Sequence, residues 1–342
     1  MAITIKDIAK IAGVSHSTVS RSLNDNPRIS KATKDRIKKI ANELGFEYNS
    51  NARGLSSSNI TNTIGVIFPK TFDDVVSGLF LNSMVKRVQY NIEKNNFDTI
   101  IEFAENRFNR KSNIQRLIDR KKIDGLVLTT PEITHDDYKY ILSHNIPHIF
   151  LHNKPKYFSQ KSTIVFTDHK EGGYLATNHL IKNNHKNILT ITEKAQEIEF
   201  QERCQGYEKA LKENNIKIDK NLMLYCDITF YDGYNIIMEN KDLLKNISAI
   251  FFQSDIIALG GIKALKELGY SIPEDISVIG YDNLELGTYY HPYLTTVHQP
   301  KNEIVDIAIE KLFHFINTKE KIKNEEIIAE PTLVIRESVK KI

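Results

Sequence analysis

The chain has 342 residues, of which 41% are hydrophobic and 26% charged, and it carries a formal net charge of +3 with only two cysteines, Cys204 and Cys226. That composition suits more than one globular core, and two thiols exclude a disulfide framework or a structural zinc site. No apolar run approaches the roughly 20 residues of a membrane span, and MAITIKDIAK has Lys and Asp where a signal peptide would be apolar, so a cytoplasmic protein without a membrane partner is expected. Charge is uneven: residues 1–60 hold 10 Lys and Arg against 5 Asp and Glu, whereas the remainder holds 36 against 38, so the head should meet a polyanion.

In chain order, Thr4 can N-cap a first helix with Asp7 three residues on. Ile5, Ile8, Ala9, Ile11 and Ala12 supply its apolar face, and Gly13 its left-handed stop. Ser15 can cap a second helix through Asn24, SHSTVSRSLN, with hydroxyl residues at 15, 17, 18, 20 and 22. Ser30 caps a third, with Ile37, Ile40, Ala41 and Leu44 at helical spacing before Gly45. Helix, short glycine turn and helix is the helix-turn-helix plan. Val19 and Leu23 then point inward, leaving His16, Ser17, Ser20 and Arg21 outward. Small hydroxyls permit close approach to phosphates, and an Arg facing guanine is the commonest specific base contact.

TIKDIAKIAGVSHSTVSRSLN and ISKATKDRIKKIANELGFEYNSNARGL resemble the DNA-binding head and hinge of the lac-repressor (LacI/GalR) family of bacterial transcription regulators. The resemblance implies that His16 and Ser17 choose operator bases, that Arg21 reads a base, and that Thr4, Ser15, Ser20 and Asn24 anchor phosphates. It also implies that NARGL forms a hinge helix on DNA, with Ala52 and Arg53 in its core and Leu55 wedging between base pairs. Tyr48 departs from the family's usual Pro, and Gly54 weakens a helix by about 1 kcal/mol relative to Ala.

From Thr63 the pattern becomes short β-rich runs alternating with helical segments: TIGVIF, DTIIEF, DGLVLT, PHIFLH, STIVFT, NILTIT, NLMLYC, AIFFQS and ISVIG. Such βα repetition gives parallel sheets, here two, whose ligands sit at the carboxyl ends of the strands. Those ends carry Phe68, Thr129, Thr130, His152, Asp227, Gln253, Ser254, Asp255 and Asp282, a set suited to a neutral polyol. The body resembles the periplasmic-binding-protein-like effector domain of the same family. That implies Arg203 of FQERCQGY and Asp282 of VIGYDN at the effector, with Ser254 and Asp255 as contact or pocket support. His152 departs from the Asp of many sugar-binding members. Phe68 and Phe72 lie in the aromatic-rich IFPKTFDDVVSGLF, which leans toward a maltose-like or α-glucoside ligand. PTLVIRES matches the family's closing strand, and no leucine heptads follow it, so a homodimer is expected.

The expected architecture is a small all-α helix-turn-helix head joined by a hinge to an α/β body of two doubly wound parallel-sheet lobes, of the type I periplasmic-binding-protein kind. The expected boundaries are 1–46 for the head, 47–61 for the hinge and 62–342 for the body. Within the body, about 62–160 and 291–319 form the first lobe, and about 161–290 and 320–342 the second. The expected function is a repressor of carbohydrate-use genes on a pseudo-palindromic operator, with a sugar effector and no cofactor or metal. A catabolite-control regulator using a phosphorylated carrier protein is the alternative, and a sugar-binding transport protein a more distant one. No GxGxxG follows the first strand, no GxSxG, HExxH or P-loop occurs, and His144/His148 lack a third ligand, which argues against an enzyme.

Overall fold

The computed structural model describes residues 3–23, 26–46, 61–69, 79–130, 133–155, 162–195, 197–318, 320, 322 and 324–342. The expected hinge residues Tyr48, Ala52, Arg53, Gly54 and Leu55, together with Asn24 and Phe72, lie outside them. The chain divides into two compact units, Met1–Asn62 and Thr63–Ile342.

The first unit holds α1 (Ile5–Ala12), α2 (His16–Leu23) and α3 (Lys31–Glu43). The Asp7 carboxylate accepts from the Thr4 N–H at 2.9 Å and from its hydroxyl at 2.6 Å, fixing the start of α1. Gly13, at φ +64°, takes the left-handed conformation that a Cβ disfavours and turns the chain toward α2. The Ser15 and Ser30 hydroxyl oxygens accept from Thr18 and Thr33 N–H at 3.1 and 3.3 Å, capping α2 and α3. Ile8, Ala9, Ala12, Val19, Ile37 and Ala41 form the buried core. Arg36 Nη2 donates to the Ala12 carbonyl at 3.1 Å, meeting one acceptor that the end of α1 leaves open. Ser22 is a hydroxyl of α2 that stands apart from the exposed side. It lies three residues after Val19 on the inward face, fully buried, with no hydrogen-bond partner among the described residues.

The second unit contains two six-stranded sheets. The first has the order β11 (Glu325–Ala329), β5 (Thr163–Thr167), β4 (His148–Leu151), β3 (Gly125–Leu128), β1 (Thr63–Phe68), β2 (Asp98–Phe103), all parallel. The second has the order β12 (Thr332–Val334), β10 (Thr295–His298), β9 (Ser277–Tyr281), β8 (Ala249–Phe252), β6 (Ile188–Glu193), β7 (Met223–Cys226), with only β12 antiparallel. Strands β1, β3, β4 and β5 are buried at every position, as parallel strands covered on both faces must be.

Helices α4 (Leu79–Lys94) and α11 (Lys301–Thr318) pack on one face of the first sheet through Met84, Val88, Ile304 and Leu312. Helices α5 (Asn113–Asp119) and α6 (His135–Ser143) cover the other face through Leu117 and Ile141. On the second sheet, α9 (Phe230–Glu239) and α10 (Asp255–Glu267) take one face and α7 (His169–Lys182) and α8 (Ile198–Glu213) the other. Helices α7 and α8 cross backbone to backbone. A Cβ on Gly173 would lie 2.2 Å from the Arg203 carbonyl oxygen, and one on Gly206 would lie 2.0 Å from that of Lys170.

The lobe boundaries differ from those expected. Strands β5 and β11 complete the first sheet, not the second, and β10 belongs to the second, not the first. Each is the last strand laid down before the chain crosses to the other lobe, so each boundary falls after the strand and not before it. The crossovers fall between β5 and α7, between β10 and α11, and between β11 and β12. At the first and third, the Asp168 N–H donates to the Ala329 carbonyl at 3.0 Å.

Candidate functional site

Two places gather the candidate residues. On α2, residues 16, 17, 20 and 21 share one side by helical spacing, and His16, Ser17 and Arg21 are exposed while Ser20 is half-buried. Ser15 Oγ also lies 2.8 Å from Ser17 Oγ and 2.9 Å from Thr18 Oγ1, so its cap orders the start of that surface. Thr4 is exposed at the start of α1, with its hydroxyl on Asp7. A short helix with one exposed Arg, a His and small hydroxyls can enter a major groove without steric obstruction.

The second place lies between the lobes of the body, where the strand ends of both sheets meet. Arg203, on α8, is 3% exposed, and its guanidinium sits 3.8 Å from the ring centroid of Tyr281 and 4.4 Å from that of Phe200. Its Nη1 donates to the Gln253 carbonyl at 2.5 Å, and its Nη2 to His169 Nδ1 at 3.4 Å. Its Nε has no partner among the described residues. His169 opens α7 directly after the first crossover, and its Nδ1 lies 3.1 Å from the Tyr281 hydroxyl. His152 follows β4 in the first lobe at φ +75°, its ring 5.8 Å from that of His169 and 4.9 Å from that of Phe80. Lys301 Nζ stands 5.7 Å from the Phe80 ring centroid, and burial lowers its pKa. Burial and then the Arg203 charge push His152 down to about 3, and the same causes hold His169 well below 6.5. Both imidazoles are therefore neutral.

The carboxylates are arranged differently. Asp282, at φ +115°, accepts from Ser254 Oγ at 2.9 Å and from Gln299 Nε2 at 2.8 Å. Asp255 accepts from Thr296 Oγ1 and from the Leu284 N–H, both at 2.7 Å, so its carboxylate braces the scaffold. Burial raises the pKa of both acids. Thr129 donates to the Ile67 carbonyl at 2.9 Å, tying β3 to β1, and Phe68 is buried in the core of the first lobe. Across the opening, Asn153 Nδ2 donates to Glu199 Oε1 at 2.5 Å, linking β4 of one lobe to α8 of the other.

The structure thus brings together His152, Arg203, Ser254 and Asp282 of the residues read from sequence, and places Asp255, Thr129 and Phe68 in the supporting scaffold. It adds Phe80, His169, Phe200, Tyr281, Gln299 and Lys301. Phe200 and Tyr281 stand inside FQERCQGY and VIGYDN and could have been found there. Gln299 and Lys301 follow β10, whose TTVH holds a single apolar residue and so carries no strand signal that would mark what comes after it. Among the described residues, no cluster of three or more His, Cys, Asp or Glu is placed to hold a metal, and no helix is long and apolar enough to cross a membrane.

Residues 4–49 match the family model of bacterial regulatory proteins, lacI family, and residues 177–339 match the periplasmic binding protein-like domain. The HTH-type transcriptional repressor PurR of Vibrio vulnificus (strain CMCP6) is 33% identical over 99% of both chains. Among solved structures, a transcriptional regulator CelR–cellobiose complex is 25% identical with a TM-score of 0.72, covering 98% of this chain and 99% of that one. A LacI family regulator from Enterococcus faecium with bound ribose is 29% identical with a TM-score of 0.71, covering 82% and 99%. The lac repressor dimer bound to operator shares the fold at a TM-score of 0.77 and 23% identity, covering 99% and 100%.

Proposed function

The chain belongs to the lacI family of bacterial regulatory proteins and is a DNA-binding transcriptional repressor with a ligand-binding body; from that premise we propose that a sugar or sugar derivative, bound between the lobes, controls its operator affinity. One observation carries the reading. Of six buried side-chain polar atoms without a partner among the described residues, five are His152 Nδ1, Thr167 Oγ1, His169 Nε2, Arg203 Nε and Gln299 Oε1. All five belong to the strand ends, crossovers and α8 segment around the interlobe opening. Buried polar atoms left unpaired cost about 1–3 kcal/mol each, so a polyol that donates and accepts there gains affinity. The aromatic rings of Phe80, Phe200 and Tyr281 offer faces for the apolar side of a sugar ring. The cellobiose and ribose complexes of similar regulators support the same class.

On this reading His16, Ser17 and Arg21 read bases, while Thr4, Ser15 and Ser20 engage phosphates. A homodimer is supported by exposed Tyr90 and Ile101 beside edge strand β2 and by exposed Tyr225 and Tyr231 beside edge strand β7, the corresponding edges of the two sheets. A two-fold dimer calls for a pseudo-palindromic operator. A second reading, a planar heterocycle bearing ring carbonyl and N–H groups, is favoured by the stacking surfaces around Arg203. Operator-binding titrations at fixed salt against sugars, sugar phosphates, nucleobases and a phosphorylated carrier protein separate these ligands. Arg203→Ala should leave operator binding intact and abolish the response. A variant that still responds at wild-type ligand concentrations would overturn the site.

A further inference from the structure

We propose that His169 reads the effector directly, donating from Nε2–H to an acceptor oxygen of the ligand, and so determines specificity from within a crossover between the lobes. The proposal rests on the sugar reading above and deepens it. Arg203 Nη2 is a donor only, so His169 Nδ1 accepts from it at 3.4 Å, and the Tyr281 hydroxyl at 3.1 Å approaches the same nitrogen. A neutral imidazole whose Nδ1 accepts carries its proton on Nε2. That N–H is buried on a residue 2% exposed, and no group of the described residues accepts from it.

Its position is built. A Cβ on Gly172 would lie 2.5 Å from the Tyr281 hydroxyl, so glycine at 172 leaves room for that hydroxyl to reach the ring. Across from His169, the His152 ring stands edge-on from the other lobe, and its Nδ1 is also without a partner among the described residues. A ligand oxygen accepting from His169 therefore sits where the first lobe can bond the same ligand through His152. An analogue that offers only hydrogen-bond donors or a methylene at that point leaves the N–H unpaired, and a site with an unpaired polar group discriminates strongly.

The test uses the full chain with maltose, cellobiose and D-ribose as probes, followed by thermal shift and calorimetry. His169→Phe keeps a ring but removes both nitrogens; His169→Gln keeps a donor and an acceptor. The expected result is a loss of about tenfold or more in probe affinity for His169→Phe, with His169→Gln close to wild type. The imidazole Nε2–H proton–nitrogen signal of the wild type, assigned by its loss in His169→Gln, should shift when the probe saturates. That shift decides the matter even if His169→Phe does not fold. A signal that stays in place at saturation, or unchanged affinity in a folded His169→Phe, overturns the assignment and leaves the sugar reading standing. Binding of none of the probes to the wild type overturns the sugar reading and this proposal with it.

Discussion

Gly173→Ala is the most demanding test of how the site is held. The added methyl would lie 2.2 Å from the Arg203 carbonyl oxygen, whereas ordinary contact begins at 3.4 Å, so the two helices must part by about 1.2 Å. The obstacle is backbone, which cannot rotate aside as a side chain would. Overpacking of this kind costs about 1–3 kcal/mol. At about 2–4 °C of midpoint per kcal/mol for a unit of this size, thermal unfolding should begin roughly 2–12 °C lower. The same movement carries Arg203 away from Tyr281 and Gln253, so ligand response should fall even where the protein remains folded. Gly172→Ala makes a useful contrast, because its methyl meets the Tyr281 side chain at 2.5 Å and not a backbone. There the ring can swing, breaking its contact with His169, so response should be lost with a smaller midpoint change. Unfolding followed by circular dichroism, with operator-release assays on both variants, gives the two readouts. An unchanged midpoint in Gly173→Ala would refute the close-packed crossing, and with it the claim that the crossing positions Arg203.

Three further outcomes follow from the same geometry. Arg21→Ala should weaken operator binding by about 1–3 kcal/mol and relax specificity at one base pair while nonspecific binding falls far less, as measured by gel shift at fixed salt. His148 is pushed down to about 4 by burial, from 6.5, and its Nε2 lies 2.9 Å from Ser162 Oγ, so the stability it supports is complete above pH 6.5 and lost as pH falls toward 4. By pH 5 that loss is about 2 kcal/mol, so the gap between urea midpoints at pH 7 and 5 should narrow by that contribution in His148→Phe, the other buried histidines keeping the remainder. Ser22→Ala removes a buried hydroxyl that has no partner among the described residues and should raise head stability by about 1 kcal/mol, read from hydrogen exchange of α1 and α2.

The head was legible because its signals are local: a cap three residues before Asp7, a glycine at a left-handed turn and apolar spacing that assigns each face. Even Ser22 follows from the spacing, three residues after Val19, though its hydroxyl disguises it. The strands of the body were legible where they hold a compact apolar run, as in TIGVIF and AIFFQS. Strand β10 escaped because TTVH holds a single apolar residue, and β11 because EEIIA sits among the charges of EKIKNEEIIAE. Missing them moved the lobe boundaries and hid Gln299 and Lys301, which follow β10. His169 was hidden for a different reason. It is the residue after the helix cap Asp168, and only the tertiary approach of Tyr281 and Arg203 makes its imidazole part of a site.

On the proposed function, a ligand at this site would have enough to work with to switch the protein. Taking a two-state equilibrium from 1:99 to 99:1 needs about 5.5 kcal/mol of differential affinity. A hydrogen bond to a charged donor such as Arg203 Nε contributes about 1.5–3 kcal/mol, and neutral ones at His169 Nε2, His152 and Gln299 about 0.5–1.5 kcal/mol each. Together these span the requirement, provided the bonds form in one lobe arrangement and not in the other. The placement of the groups supplies that condition. His152 belongs to the first lobe, Arg203 to the second, and His169 and Gln299 stand at crossovers between them, so no single lobe can offer the whole set. The bond from Asn153 to Glu199 also spans the two lobes, so the protein supplies a contact of its own beside those offered to the ligand.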